Sequence, residues 1–137
     1  MKKPEVSSKF QFTNFVVKES HFFLAERSDY EFTFEFTPSG KVFLGLNQFE
    51  LYLELKVREK NGLVEIDIKT VSFFTFEGTD NIADNPFFTL NAPAIVYPYI
   101  RAYISTLTAQ SGIGTITMPA MNLISLGEVL KKEIEII

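Results

Sequence analysis

Alternation governs the middle of this chain. From Asn47 to Lys60, Phe49, Leu51, Leu53, Leu55 and Val57 take every second position, and Glu50, Tyr52, Glu54, Lys56 and Arg58 stand between them. Strand side chains point to opposite faces in turn, so this spacing makes one apolar face and one charged face. Asn61-Gly62 follows, two residues that tolerate the positive φ of a tight turn, and Val64, Ile66 and Ile68 then alternate with Glu65, Asp67 and Lys69. A hairpin with one greasy face must be covered by something else.

The neighbouring stretches extend this sheet. Tyr30, Phe32, Phe34 and Phe36 share one face of a strand over Tyr30–Thr37, with Glu31, Thr33 and Glu35 on the other, and Pro38-Ser39-Gly40 reads as a break. Lys9 to Leu24 reads as a first strand. Its alternation fails at Phe15-Val16-Val17 and again at Phe22-Phe23-Leu24, which predicts a bulge or a change of buried face. Ala25 to Asp29 forms a short connection. Val71 to Phe76 is apolar on both faces, so Val71 and Phe73 need a cover that is local or comes from another chain.

Beyond Leu90 the pattern changes to helix. Pro93 and Pro98 suit a helix start, where the first N–H groups have no partner inside the helix. The spacing predicts a helix from about Ile95 or Pro98 to Ser111, stopped by Gly112 and Gly114. Ile100, Tyr103, Ile104 and Leu107 form its apolar stripe and Tyr99 widens it, a stripe broad enough to pack on a second subunit as well as on the sheet. Thr115–Met118 reads as extended and Pro119–Asn122 as a turn. Ser125 with Glu128 then reads as a capping box opening a last helix to about Ile137. The expected fold is α+β: a four-stranded antiparallel sheet with two helices packed on one face, in a single domain over residues 1–137.

Chemistry is scarce. With no cysteine there is no disulfide, thiolate or zinc–thiolate site, and a reducing compartment is the natural setting. The one histidine, His21, sits beside Phe22 and Phe23 in a strand and reads as structural. Asp80, Asn81, Asp84 and Asn85 lack the ligand spacing of a calcium loop. No catalytic residue, metal site or cofactor site is expected, and the chain does not read as an enzyme. A net charge of −4 argues against nucleic acid. The first residues carry charge rather than an apolar signal core, and no run is long enough to span a bilayer, so a cytoplasmic location without membrane insertion is expected.

Binding is what remains. Fifteen Phe and five Tyr exceed what one small core readily hides, and flexible Met118 and Met121 suit a surface that accepts varied apolar segments. Glu31, Glu35, Glu50 and Glu54 form an acidic sheet face suited to a basic partner. Asn91-Ala92-Pro93-Ala94-Ile95-Val96-Tyr97-Pro98-Tyr99-Ile100-Arg101, with Gly112 and Thr117-Met118-Pro119-Ala120-Met121-Asn122, resembles the SecB family of protein-export chaperones. Within the resemblance, Tyr97, Pro98, Tyr99 and Arg101 match the family's helix-start motif and Asn122 the Asn of its second motif. The chain departs from the family in its short connection after the first strand, in Ile113-Gly114 after Gly112, and in Leu123-Ile124 after Asn122.

The resemblance implies an ATP-independent chaperone for unfolded or non-native polypeptides, a homotetramer built as a dimer of dimers, and handover of export precursors to the SecA motor. A chaperone dedicated to one partner such as an antitoxin, a non-chaperone adaptor module and a small-ligand binder stand as alternatives. Under the chaperone reading, Tyr30, Phe74, Phe76, Met118 and Met121 are expected to line the peptide groove. Tyr99, Ile100, Tyr103, Ile104, Leu107, Val71 and Phe73 are expected at subunit interfaces.

Overall fold

The computed structural model describes residues 10–77 and 85–137. Strands β1 (Phe10–Leu24), β2 (Phe32–Phe43), β3 (Gln48–Glu59) and β4 (Val64–Phe76) come first. A π-helical turn, Phe87–Asn91, runs directly into helix α1 (Ala92–Ala109), and α2 (Leu123–Lys131) and a short β5 (Ile134–Ile136) complete the chain. The expected polar stretch from Gly78, with its calcium-like acidic residues, lies outside the described residues up to position 84.

The sheet has five strands, in the order β1-β4-β3-β2-β5, and not the four expected. The extra strand comes from the end of the expected last helix. Asn122, not Ser125, caps α2: its side chain accepts the Ser125 N–H at 3.1 Å. The helix stops at Lys131, and Ile134-Glu135-Ile136 pairs parallel with Gly40–Val42 of β2. Isoleucines at alternate positions suit a strand better than a helix end, a period-2 signal only three residues long.

Strand β2 also runs through Pro38-Ser39-Gly40 without a break. Gly40 donates its N–H to the Glu133 carbonyl and Leu44 to that of Ile137, both at 3.1 Å, while the Val42 carbonyl accepts from the Ile137 N–H at 2.8 Å. Even-numbered residues of β2 therefore aim their backbone groups away from β3. Pro38 belongs to that set, so its missing N–H removes no bond to β3 and the sheet tolerates it. Gly40 is needed because a Cβ there would lie 2.8 Å from Cε1 of Phe49.

The irregularity foreseen in β1 is present as two register shifts against β4, between Phe12 and Asn14 and between Val17 and Glu19. Each admits one extra residue, Thr13 and then Lys18, so that Phe10, Phe12, Phe15, Val17, Phe22 and Leu24 all reach the inner face despite uneven spacing.

The inner faces of β3 and β4 and one face of α1 make a single core. Phe49, Leu51, Leu53, Leu55, Ile66, Ile68, Val96, Ile100 and Ile104 are fully or almost fully buried in it. Burying each such side chain stabilises the fold by about 1.5–3 kcal/mol. The expected helix start, Ile95 or Pro98, lies nine to twelve residues too late, since the helical path begins at Pro86 and Pro98 lies inside α1. Pro98 leaves the Ala94 carbonyl without its usual donor, but both residues face solvent, where water can replace it. Pro93 likewise frees the Thr89 carbonyl, and α2 packs its Gly127 there so closely that a Cβ would lie 2.5 Å from that oxygen.

An apolar trough beside β2 as candidate functional site

Phe32, Phe34 and Phe36 project from β2 on the face that carries the helices, each only partly buried. Opposite them stand Tyr97 of α1 and the chain from Met118 to Asn122 that leads into α2. Between the two lies an open trough of about 420 Å³, within the size range of ligand sites. Thr33 also lines it although its side chain belongs to the other face of β2, so the trough reaches round the strand's edge.

The far wall is held firmly. Thr108 Oγ1 accepts the Ile116 N–H at 2.8 Å, and Ser105 donates to the Ile116 carbonyl at 3.2 Å. Met118 is buried and forms the floor. Tyr97 donates its hydroxyl proton to the Pro119 carbonyl. Burial raises the Tyr97 pKa and the nearby Arg101 charge only partly opposes it, so the ring stays neutral. Its ring centroid lies 6.2 Å from that of Phe36, across the trough. Met121, half-buried, offers a flexible thioether on the same wall.

Of the residues expected in a groove, Met118 and Met121 line this one. Tyr30 lies just beyond its end, 5.5 Å from the Phe32 ring and hydrogen-bonded to the Glu26 carbonyl at 3.0 Å. Phe74 and Phe76 require correction: they are 1% and 5% exposed, packed with Phe10, Phe49 and Phe88 in the aromatic core. The π-helical turn drops Phe88 onto them, an element not foreseen. Phe32, Phe34, Phe36 and Tyr97 are not among the residues expected in the groove, although the all-aromatic face of Tyr30–Phe36 is readable as the surplus.

The expected interface stripe divides in two. Ile100 and Ile104 are fully buried against the chain's own sheet, so they are core and not a subunit contact. Tyr99, 47% exposed, sits by Phe12 and Phe15 of β1 at ring distances of 5.1 and 5.5 Å. Tyr103 and Leu107 are half-buried, and the Tyr103 hydroxyl donates to Ser20 Oγ at 2.7 Å. Val71 is 5% exposed on the outer face, in register between Val16 and Tyr52, so its cover is local; Phe73 beside it is only partly covered.

That outer face is of mixed charge and not simply acidic. Glu31 pairs with Lys60 at 3.5 Å, Asp67 with Arg58 at 2.8 Å and Glu19 with Lys69 at 3.3 Å. Glu35 lies opposite Lys56, and Glu54 opposite Lys69. Glu50 accepts the Tyr52 hydroxyl proton, while Lys41 lies 5.6 Å from the centre of that ring. Burial, together with the hydrogen bond to Glu50 and its charge, pushes the Tyr52 pKa up to about 12.

Compared with known proteins, residues 5–128 match the family described as preprotein translocase subunit SecB. The chain belongs to the SecB family. An uncharacterized protein of Methanocaldococcus jannaschii is 27% identical over 123 residues, covering 82% of this chain and 78% of that protein. Among solved structures, the SecB-like chaperone Rv1957 of Mycobacterium tuberculosis, in complex with a ChAD peptide from the Rv1956 HigA1 antitoxin, shares the fold. It has a TM-score of 0.70 and 15% identity, with 84% of this chain and 89% of that one aligned. A protein of unknown function from Streptococcus agalactiae aligns with a TM-score of 0.51 at 9% identity, over 84% and 100% of the two chains. In this SecB-family chain the match ends before β5, which lies beyond residue 128. Among its described residues no helix is long and apolar enough to cross a membrane.

Proposed function

We propose that this SecB-family chain is an ATP-independent chaperone that holds non-native polypeptide in the trough beside β2. The observation that carries this reading is the trough itself: three phenylalanines, a tyrosine and two methionines line an open channel on the flank of a rigid sheet. Aromatic rings supply large apolar contact, and methionines adapt to side chains of different shape. Phe32, Phe34, Phe36, Tyr97 and Met121 are the residues assigned to the client, with Met118 buried beneath them as the floor and Tyr30 at the trough's end.

The working molecule, in this reading, is a homo-oligomer, a dimer of dimers. Tyr99, Tyr103 and Leu107 of α1, with the edge of β1 that no other strand of the described residues meets, form the surface assigned to a second copy. The location proposed is the cytoplasm. A client of the antitoxin kind is the second reading, favoured because Glu31, Asp67 and Glu19 are already paired with cations. That leaves less surplus negative charge on the outer face for a basic segment of any translocation partner. The test is suppression of aggregation of an unfolded substrate at stoichiometric ratio, repeated with an antitoxin-derived peptide as competitor. The chaperone reading predicts suppression by the wild type and its loss in Met121→Asp; no suppression at any ratio removes it. Competition by that peptide but not by unrelated unfolded peptides favours the dedicated client.

A further inference from the structure

The lining of the trough carries no charge. Of the described residues that border it, only Tyr97 is ionisable, and its ring stays neutral. The acidic residues of β2, Glu31 and Glu35, belong to the strand's other face, where Glu31 pairs with Lys60 at 3.5 Å and Glu35 lies opposite Lys56. One cation stands at the wall. Arg101 follows Tyr97 by four residues and precedes Ser105 by four, so the three share one face of α1, a turn apart. Tyr97 donates to the Pro119 carbonyl and Ser105 to that of Ile116 at 3.2 Å, which lays the stretch from Ile116 to Pro119 along this face, with Arg101 between the two anchors. The Arg101 charge also acts on the Tyr97 hydroxyl, against the burial that raises its pKa, as a guanidinium does only at short range. Arg101 is exposed, and among the described residues it has no carboxylate partner. A planar fork of five N–H donors is thus available beside an apolar channel.

We propose that Arg101 gives the trough a charge preference: the segments held best are apolar ones that carry a carboxylate a few residues away, and the guanidinium takes that carboxylate at the wall. This rests on the reading of the trough as the client site and deepens it by naming the chemistry that selects a client. A carboxylate accepts two guanidinium N–H groups in parallel, a geometry that an amide or a hydroxyl does not offer. The chain's net charge of −4 pulls the other way over long distances, toward basic segments. Salt screens that pull beyond about 10 Å at 0.1 M, whereas a contact made against an apolar wall is screened far less. The preference is therefore local, set by one side chain and opposite in sign to the protein as a whole. Its carboxylate comes from Asp or Glu or from the end of a chain, since the chemistry is the same.

The experiment measures binding of short peptides to the full chain at about 0.1 M salt. Each peptide has a core of Leu and Phe, capped ends, and Glu, Gln or Lys beside the core. The wild type should bind the Glu peptide roughly threefold to tenfold tighter than the Gln peptide. In Arg101→Gln the difference should vanish while the Gln peptide binds as before, which also shows that the trough is intact. Arg101→Lys should keep the preference in weaker form, and Arg101→Glu should turn it toward the Lys peptide. A Gln peptide with a free carboxyl end separates the sources: matching the Glu peptide, it shows that a chain end serves as well; matching its capped form, it confines the preference to Asp and Glu, and either result upholds the role of Arg101. Equal binding of the Glu and Gln peptides by the wild type, or a preference that survives in Arg101→Gln, overturns the proposal. If the wild type binds neither the peptides nor an unfolded protein, the client-site reading itself falls. If it binds all the peptides alike and Met121→Asp weakens them all, only the present inference falls.

Discussion

The two edges of the sheet make a useful pair. Among the described residues, both β1 and the first half of β2 leave a row of backbone groups unpaired, yet they are finished differently. The β1 edge is bent by its irregularities at Thr13 and Lys18 and flanked by Tyr99, Tyr103 and Leu107 of α1, so it offers a surface with little depth. The β2 edge is straight from Phe32 to Phe36 and adjoins a channel walled by Tyr97 and Met118–Asn122. A shallow bent edge suits one fixed partner of matching shape, such as a second copy. A straight edge beside a channel suits any chain that can extend. On this account, what separates the two is depth and regularity, not hydrophobicity, since both are rich in aromatic rings.

Predictions that would break or sharpen this contrast begin with the helix between the edges. Ile100→Ala, at a fully buried position, should cost about 2–5 kcal/mol in urea unfolding. Tyr99→Ala, on the exposed side of the same helix, should stay within about 1 kcal/mol. Equal costs would mean that the stripe is not divided as described. Next, Met121→Asp should lower client affinity by tenfold to a hundredfold, on the order of 1.4–2.7 kcal/mol, with the light-scattering mass unchanged. Leu107→Asp should lower that mass instead. If either substitution produced the other's effect, the assignment of one edge to clients and the other to copies would break.

Smaller effects test how the trough is braced. Gly127→Ala forces α2 away from the Thr89 carbonyl and should cost about 1–3 kcal/mol. Because α2 begins at Asn122, it should loosen client binding without altering assembly. Glu59 ties the β3–β4 turn to the start of β2. Burial acts to raise its pKa, but the backbone N–H groups of Asn61, Leu63, Glu31 and Lys60 outweigh that and hold it below the usual carboxylate range. A lowered folded-state pKa means that the stabilisation is complete above the unfolded-state value and is lost as pH falls through the folded one. Wild-type melting temperature should therefore drop on acidification below about pH 4 more steeply than that of Glu59→Gln. Parallel curves would remove Glu59 as the brace.

Much of the sheet was legible because alternation is a local signal. Phe49 to Val57 and Val64 to Ile68 face the core as their spacing demands, and the disorder in the β1 pattern marks real bulges. The helical half was harder. Pro98 suggests a helix start, but an exposed carbonyl partner lets a proline sit inside α1, and that depends on which way the helix faces. β5 escaped because three residues carry too little periodicity to outweigh a preceding helix. Met118 and Met121, expected in a groove from their chemistry, border the trough. Phe74 and Phe76 were misplaced because sequence shows how many rings exist but not which ones the turn at Phe87–Asn91 covers. The same surplus pointed to Phe32, Phe34 and Phe36 only once the edge of β2 was known to be open.

Photo-crosslinking answers the central question most directly. A photoreactive residue placed at position 121, beside the β2 edge, and another at position 107, beside β1, are irradiated in the presence of an unfolded polypeptide. The account predicts adducts to the polypeptide from position 121 and adducts between copies of the chain from position 107. The reverse pattern, or polypeptide captured equally at both, would contradict it.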